Sequence, residues 1–207
     1  MGIKRARGFS LIEALLVLTI GGIVMAIIFG TMARHAKDEA LDLAALQTAQ
    51  DAARFARAVR EYDYYTQRGN RTVIDHRDLE NSNLLPRRSD GRRTDEDIFA
   101  TGQDFEGLII NNINYDLILV YPKGRIDPER ARKFDMARNS GQQTIFMTKV
   151  AGHLNHRFPA PNTVAGVVDR NDRILRGPYG SFEMNIGGYL DRRNEPFWVL
   201  LMTLPKG

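Results

Sequence analysis

Cysteine is absent from this chain of 207 residues. Without a thiol the protein can have no disulfide framework, no thiolate zinc site and no cysteine nucleophile. The common catalytic signatures are missing as well: the sequence contains no Walker phosphate loop, no H-E-x-x-H, no G-x-S-x-G and no G-x-G-x-x-G. We therefore expect a protein that is not an enzyme, has no redox or organic cofactor, and is stabilised by packing.

Charge is absent from Ala14 to Met32, a run of 19 residues, which is close to the ~20 residues that a helix needs to cross a bilayer. Lys4, Arg5 and Arg7 precede the run and favour a cytoplasmic N-terminus, although Arg34 makes the far flank basic too. A cleavable secretory signal has a shorter apolar core, of about 7–15 residues. The sequence thus predicts one membrane-spanning helix, with the rest of the chain outside the cytoplasm.

One carboxylate, Glu13, lies at the start of this apolar stretch, and the basic residues before it stop at Gly8. A charged side chain at the centre of a membrane helix costs about 2.5–3.5 kcal/mol on insertion scales, so an ionisable residue there is a functional hypothesis by default. A simple membrane tether, which is the plainer interpretation, has no use for Glu13.

The stretch RGFSLIEALLVLTIGGIVMA, residues 7–26, closely resembles the N-terminal signature of type IV pilins and pseudopilins. The resemblance implies that a prepilin peptidase removes a leader after Gly8 and that Phe9 becomes the N-methylated N-terminus. It also implies that Glu13 meets the N-terminus of a neighbouring subunit during assembly. Major pilins often carry a proline where this chain has Gly30, and the missing disulfide is unusual for them. The resemblance therefore favours a minor or divergent subunit.

Proline and glycine are absent from Thr31 to Arg68, and apolar residues recur there every three or four positions. This spacing is typical of an amphipathic helix. One continuous helix is predicted from about Ser10 to Tyr64, roughly 80 Å long at 1.5 Å per residue. Three tyrosines at its end, Tyr62, Tyr64 and Tyr65, are expected to pack against a sheet.

The remaining sequence predicts short helices and strands. Asp75 is a candidate N-cap for a short helix that ends before Pro86, and Pro128 is expected in the first turn of another. Strand-like composition appears at residues 115–122, 142–152, 181–188 and 196–205. The fold class is α+β: a long N-terminal helix, transmembrane and then amphipathic, packed on a mostly antiparallel sheet of about four strands, as in pilins.

Four segments follow from these patterns. They are a prepilin leader at 1–8, a transmembrane and polymerisation helix at 9–32, an amphipathic continuation at 33–66 and a globular α+β head at 67–207.

Metal and nucleic-acid sites are less well supported. Oxygen ligands at alternate positions, Asp169, Asn171 and Asp172, suggest a calcium loop, but the glycine and glutamate of an EF-hand are missing. His153 and His156 lack a third ligand, so no metal is predicted there. Paired arginines at 87–88 and 92–93 suggest contact with DNA, but acidic residues among them oppose a polyanion.

The sequence therefore predicts a structural subunit of a type IV pilus-like filament. The implied partners are a prepilin peptidase, other pilin subunits, an inner-membrane assembly platform and membrane lipid. The protein would span the bacterial inner membrane once before assembly, and afterwards belong to an extracellular pilus or a periplasmic pseudopilus. Two alternatives remain open: a pseudopilin of a type II secretion system, and a membrane-tethered pilin-like protein that binds DNA.

Overall fold

A computed structural model describes residues 11–66, 71–85, 103–124, 127–134, 136, 140–168, 173–190 and 197–205. The chain divides into two compact units, Met1–Ala40 and Leu41–Gly207, here called the N-terminal unit and the head unit. Helix α1, Leu11–Thr66, begins in the first and ends in the second. Its observed bounds confirm the single uninterrupted helix that the lack of proline and glycine predicted.

In its described part, the head unit adds further helices and a sheet to the last turns of α1. Helix α2 is short, and α4 is the longest helix after α1. The elements are β1 (Arg71–Ile74), α2 (His76–Asn81), β2 (Asp104–Asn111), β3 (Tyr115–Lys123), α3 (Pro128–Lys133), α4 (Ser140–Arg157), β4 (Thr163–Val168), β5 (Ile174–Arg176), a 3-10 turn (Pro178–Gly180), β6 (Glu183–Asn185) and β7 (Phe197–Pro205).

The sheet has seven strands in the order β1-β2-β3-β7-β4-β5-β6, and every neighbouring pair is antiparallel. Strands β3 and β7 lie at its centre, and their register pairs Leu119 with Leu201 and Val120 with Leu200. Both strands are nearly continuous apolar runs because both faces of the sheet are covered. The architecture confirms the predicted α+β class, with more strands than the four expected.

The two faces of the sheet are covered by different elements. Val120 and Leu200 belong to the cluster formed with α1 and α4. Leu119 and Leu201 point to the opposite face, where Ile186, after β6, closes a second cluster. This alternation follows from the period of two along a strand.

Helix α1 approaches the sheet through small side chains. Its buried positions in the head unit recur every three or four residues, and many of them are alanines. A Cβ added at Gly107 of β2 would lie 2.9 Å from Val59 Cγ2 of α1. The close approach therefore requires glycine at that position, and it sets the distance between helix and sheet. The buried positions are Leu41, Ala45, Thr48, Ala49, Ala52, Ala53, Phe55, Ala56, Ala58, Val59 and Tyr62.

The strand predicted at 142–152 is wrong, because this segment lies inside α4. Phe146, Val150 and Leu154 are all buried and recur every four residues, which is the spacing of one helix face. The β-branched and aromatic composition of the segment favoured a strand, but packing on β4 and β7 decided in favour of a helix. Gly152 lies inside this helix without interrupting it.

Several strands were missed. Strands β1, β2, β4 and β5 were not predicted, and the strand predicted at 181–188 shrinks to Glu183–Asn185. Strands β5 and β6 have only three residues each, so they carry almost no periodic signal. They become strands because longer neighbours offer unpaired backbone groups to bond with.

The two short helices are confirmed. Asp75 caps α2: its carboxylate accepts hydrogen bonds from the backbone N–H groups of Arg77 and Asp78, and Asp78 returns the bond in a capping box. Pro128 is the first residue of α3. Of the three tyrosines expected to pack at the end of α1, Tyr62 is buried in the core of the head unit. The expectation is wrong for Tyr64 and Tyr65, since both side chains are exposed and contact each other edge to face.

Candidate functional site

The apolar part of α1 is the candidate functional site. Every residue from Leu11 to Ala40 is exposed, including all the large apolar side chains between Leu11 and Met32. Exposed apolar surface on this scale marks contact with another protein or with lipid. A helix bonds its own backbone N–H and C=O groups internally, so it can enter an apolar medium without leaving them unpaired.

The hydroxyl groups within the apolar run are also bonded inside the helix. Thr19 Oγ1 donates to the carbonyl oxygen of Leu15 at 2.8 Å, and Thr31 Oγ1 donates to that of Ile28 at 2.8 Å. An unbonded hydroxyl in an apolar medium costs a few kcal/mol, about 1–3 on protein mutational data. These bonds therefore make both threonines compatible with burial in lipid or among other helices.

Glycine leaves notches on the same helix. A Cβ added to Gly21, Gly22 or Gly30 would have no neighbour within 4 Å. Small residues on an apolar helix let another helix approach its backbone closely. The three positions are therefore open surface within this chain, and they offer close approach to a second helix.

Glu13 lies in the first turn of α1 and is exposed. A carboxylate in the first turn interacts favourably with the helix dipole, by about 0.3–1 kcal/mol. That gain offsets only part of what burial in an apolar medium would cost. Glu13 therefore needs a cation when its surroundings become apolar.

Among the described residues, one helix is long and apolar enough to cross a membrane, and none of its apolar window is buried within the chain. This is consistent with membrane anchoring. Gly8 and Phe9 lie outside the described residues, so the predicted cleavage and methylation site has no described geometry. Asp169, Asn171 and Asp172 lie outside as well, as do the arginines at 87–88 and 92–93.

The head unit contains a charged contact that the sequence did not reveal. Lys149 Nζ of α4 donates a hydrogen bond to Asp42 Oδ1 of α1 at 2.8 Å, and His153 Nε2 lies 3.3 Å from the same oxygen. The hydrogen bond from Lys149 lowers the pKa of Asp42, and the charges of Lys149 and His153 act in the same direction. This contact ties α1 to α4.

Lys149 and His153 are four residues apart, and this spacing places both on one face of a helix. The signal was present in the sequence, but it has meaning only once the segment is known to be helical. In the described part of the chain, no group of three or more histidine, aspartate, glutamate or cysteine side chains could hold a metal ion.

A second charged contact lies on the sheet. Lys123 Nζ is 2.9 Å from Glu106 Oε2, and the Tyr121 hydroxyl donates to Glu106 Oε1 at 2.7 Å. The hydrogen bond to Glu106 raises the pKa of Lys123. These three side chains lie on the paired strands β2 and β3 and hold them in register.

The comparisons with known proteins agree with the geometry of the N-terminal unit. Residues 3–29 match the family model described as the prokaryotic N-terminal methylation motif. No curated protein and no solved structure matches the chain. The matched segment covers Gly8, Phe9 and Glu13 and most of the exposed apolar run. The motif, followed by a long apolar N-terminal helix and an α+β head, supports a class III prepilin signal and a type IV pilin-like protein.

Proposed function

We propose that this protein is a structural subunit of a type IV pilus-like filament, assembled through α1. The observation that carries the proposal is the coincidence of the methylation motif at residues 3–29 with a helical segment, Leu11 to Met32, whose large apolar side chains are all exposed. Such a helix needs an apolar environment in every state of the protein. Lipid provides it before assembly, and the helices of other copies provide it afterwards.

Processing comes first in the proposed sequence of events. Lys4, Arg5 and Arg7 keep the leader on the cytoplasmic side. A prepilin peptidase cuts the bond between Gly8 and Phe9, which frees an α-amino group. Methylation of that nitrogen leaves it basic, and an α-amino group has an ordinary pKa of about 7.7–8.0. The new N-terminus is thus a cation at the edge of the apolar segment.

Glu13 supplies the matching anion. In the proposed filament its carboxylate pairs with the Phe9 amino group of a neighbouring copy. Leaving either charge alone in an apolar medium is strongly unfavourable. Two subunits therefore associate favourably only in the arrangement that brings the two charges together. Transfer of apolar side chains from lipid to protein supplies little driving force. The pair therefore selects the position of the incoming subunit.

The head unit has a packed core, with Trp198, Phe55 and Phe146 among its fully buried side chains. We propose that it faces outward from the filament. A pseudopilus of a type II secretion system would use the same processing and the same Glu13 contact, and the assembly genes beside this one would separate the two systems.

The mature N-terminus tests the proposal directly. We expect mass spectrometry of protein from its native host to find a chain that begins with N-methylated Phe9. A chain that retains Met1, with no methylated Phe9 species, would overturn the proposal.

A Glu13→Ala variant tests assembly separately. We expect it to enter the membrane and to be processed, but to be depleted in sheared filaments, because the N-terminus of the neighbour loses its anion. Glu129→Ala is the matched control, since Glu129 is exposed on α3. Normal incorporation of Glu13→Ala would favour a simple tether.

A further inference from the structure

The charged residues of α1 that follow the apolar run are arranged in blocks. A basic block, Arg34, His35 and Lys37, is followed at once by an acidic pair, Asp38 and Glu39. All of these side chains are exposed. Blocks of opposite sign that follow each other along an exposed helix can match another copy of the same helix only at certain shifts along its axis.

Pairing within one helix does not explain the arrangement. Arg34 and Asp38 are four residues apart, as are His35 and Glu39, so each pair could meet on its own helix. In the described structure neither pair forms an ion pair. The order, with the base nearer the N-terminus, is also the less favourable one for a pair within a helix.

Two parallel copies of α1 can be compared at each shift. With no shift, each charged residue lies beside the same residue of the other copy. With a shift of three residues, Arg34 of one copy lies beside Lys37 of the other, and Glu39 lies beside Asp42. Both arrangements place like charges together, which is unfavourable.

A shift of four residues brings opposite charges together. It places Arg34 of one copy beside Asp38 of the other, and it places His35, which is a cation only when protonated, beside Glu39. A shift of five residues also gives two such contacts, Arg34 with Glu39 and Lys37 with Asp42. These shifts correspond to an axial displacement of about 6–7.5 Å between copies.

The shift of four has one unfavourable contact, between Asp38 of one copy and Asp42 of the other. Asp42 is already bonded to Lys149 at 2.8 Å and lies 3.3 Å from His153 within its own head unit. The ammonium group of Lys149 therefore offsets its charge before any neighbour arrives. This reduces the repulsion that Asp38 would otherwise meet.

Four residues also separate Phe9 from Glu13, the pair assigned to neighbouring copies under the proposed function. The same order, base first and acid four residues later, recurs in the head unit at Arg57 and Glu61, which are both exposed and form no ion pair within the described residues. We propose that α1 carries a second register signal for another copy of this chain: Arg34 and His35 of one subunit contact Asp38 and Glu39 of the next, at the shift that pairs Phe9 with Glu13. The proposal rests on the filament function.

Trans-complementation tests the charge contact. Arg34→Asp and Asp38→Arg each place like charges together in a homopolymer, so we expect either variant alone to give several-fold fewer sheared filaments. When both variants are expressed together, the introduced aspartate of one chain meets the introduced arginine of the other, and yield should recover. A pair within one helix cannot be restored in this way. Normal yield from either variant alone, or no recovery in the mixture, would overturn the proposal.

Cross-linking tests the shift without altering any charge. The chain has no cysteine, so a chain with one introduced cysteine can form a cross-link only with another chain. Ala33, Ala36 and Ala40 lie on one face of α1. We expect filaments that contain Ala36→Cys and Ala40→Cys chains to give the strongest product with a short bis-maleimide reagent. Two controls detect other shifts. Filaments of Ala36→Cys chains alone would cross-link at a shift of zero, and filaments of Ala36→Cys and Ala33→Cys chains would cross-link at a shift of three residues.

The outcomes separate this inference from the filament function. If filaments form with methylated Phe9 but the controls at shifts of zero or three cross-link best, only the register is wrong. If Arg34 instead contacts lipid headgroups, Arg34→Asp should lower the filament yield, and the mixture of the two variants should not restore it. That result also counts against the proposed register. If the wild-type chain forms no filament, the proposed function itself fails.

Discussion

Lys149 Nζ and Asp42 Oδ1 lie 2.8 Å apart although their residues are separated by 107 positions in the sequence. His153, one turn further along α4, approaches the same carboxylate at 3.3 Å. Because Asp42 comes at the start of the α1 segment that belongs to the head unit, this contact fixes α4 against the first turn of that segment. The direction in which pH changes the strength of this contact follows from the lowered pKa of Asp42.

The loss of stability at acid pH should depend on Asp42. Its pKa is lowered in the folded state, so its contribution is present above the unfolded pKa and is lost as pH falls through the folded pKa. The side chain is 45% exposed, so we expect Asp42→Asn to cost at most about 1 kcal/mol near pH 7. The difference from wild type should shrink as pH falls below the ordinary aspartate pKa of about 3.9, and vanish once pH is below the lowered pKa of Asp42.

The measurement is urea unfolding of the full chain in detergent, followed by fluorescence. Trp198 is the single tryptophan and is 1% exposed, so its emission reports on the head unit. Lys149→Met should also lose its difference from wild type as pH falls, because the contact that it removes requires the ionised carboxylate of Asp42. A difference from wild type that persists unchanged at pH about 2 would contradict the assignment.

The loss of stability at alkaline pH should depend on Lys123. Its pKa is raised in the folded state, so its contribution is complete below the unfolded pKa of about 10.4 and is lost as pH rises through the folded pKa. Glu106→Gln removes the anion but retains an oxygen to accept the Tyr121 hydroxyl. We expect this variant to be less stable at pH 8 by under about 1 kcal/mol, since Lys123 is partly exposed. Stability curves from pH 8 upward should converge with wild type, and parallel curves would refute this.

The spacing between α1 and the sheet should depend on Gly107. Gly107→Ala places a methyl group 2.9 Å from Val59 Cγ2, and overpacking of this kind costs about 1–3 kcal/mol. Adding Val59→Ala should recover part of that loss, because it removes the atoms that clash. The free energy of unfolding from the Trp198 signal measures both effects.

Gly152→Ala is the matched control for Gly107→Ala. Gly152 lies inside α4, and a Cβ added there has nothing within 4 Å. Replacing glycine by alanine in a helix interior should stabilise the protein by up to about 1 kcal/mol. If both alanine variants change stability in the same direction, close packing at Gly107 is not the cause.

Asn155 should be needed at the edge of β4. Its side-chain amide donates to the Ala165 carbonyl at 2.9 Å and accepts from the Ala165 N–H at 2.7 Å, as a neighbouring strand would. Asn155→Leu leaves both backbone groups unpaired, at a cost of about 1–3 kcal/mol. His156→Leu, at an exposed position one residue further on, should stay within about 0.5 kcal/mol of wild type. Equal effects in thermal unfolding would remove this role from Asn155.

Local signals account for what could be predicted. The charge-free run after Glu13 and the lack of proline and glycine to Arg68 define α1 with no knowledge of the rest of the chain. The cap at Asp75 and the start of α3 at Pro128 are equally local, since each depends on bonds within one turn. These elements were predicted correctly for that reason.

Distant contacts account for what could not be predicted. The segment 142–152 has the composition of a strand and becomes a helix because Phe146, Val150 and Leu154 find partners on α1 and the sheet. Strand β5 has three residues, and it exists because β4 and β6 supply its hydrogen bonds. Neither fact has a local signal.

The sequence by itself determined the N-terminal methylation motif, the exposed apolar helix and the place of Glu13, because the constraints of a membrane and of a processing motif act on consecutive residues. Only the tertiary structure decided the order of the seven strands, the helical state of α4 and the contact of Asp42 with Lys149. Those features depend on packing between segments far apart in the chain, where the free energy of burial and of paired charges outweighs local preference.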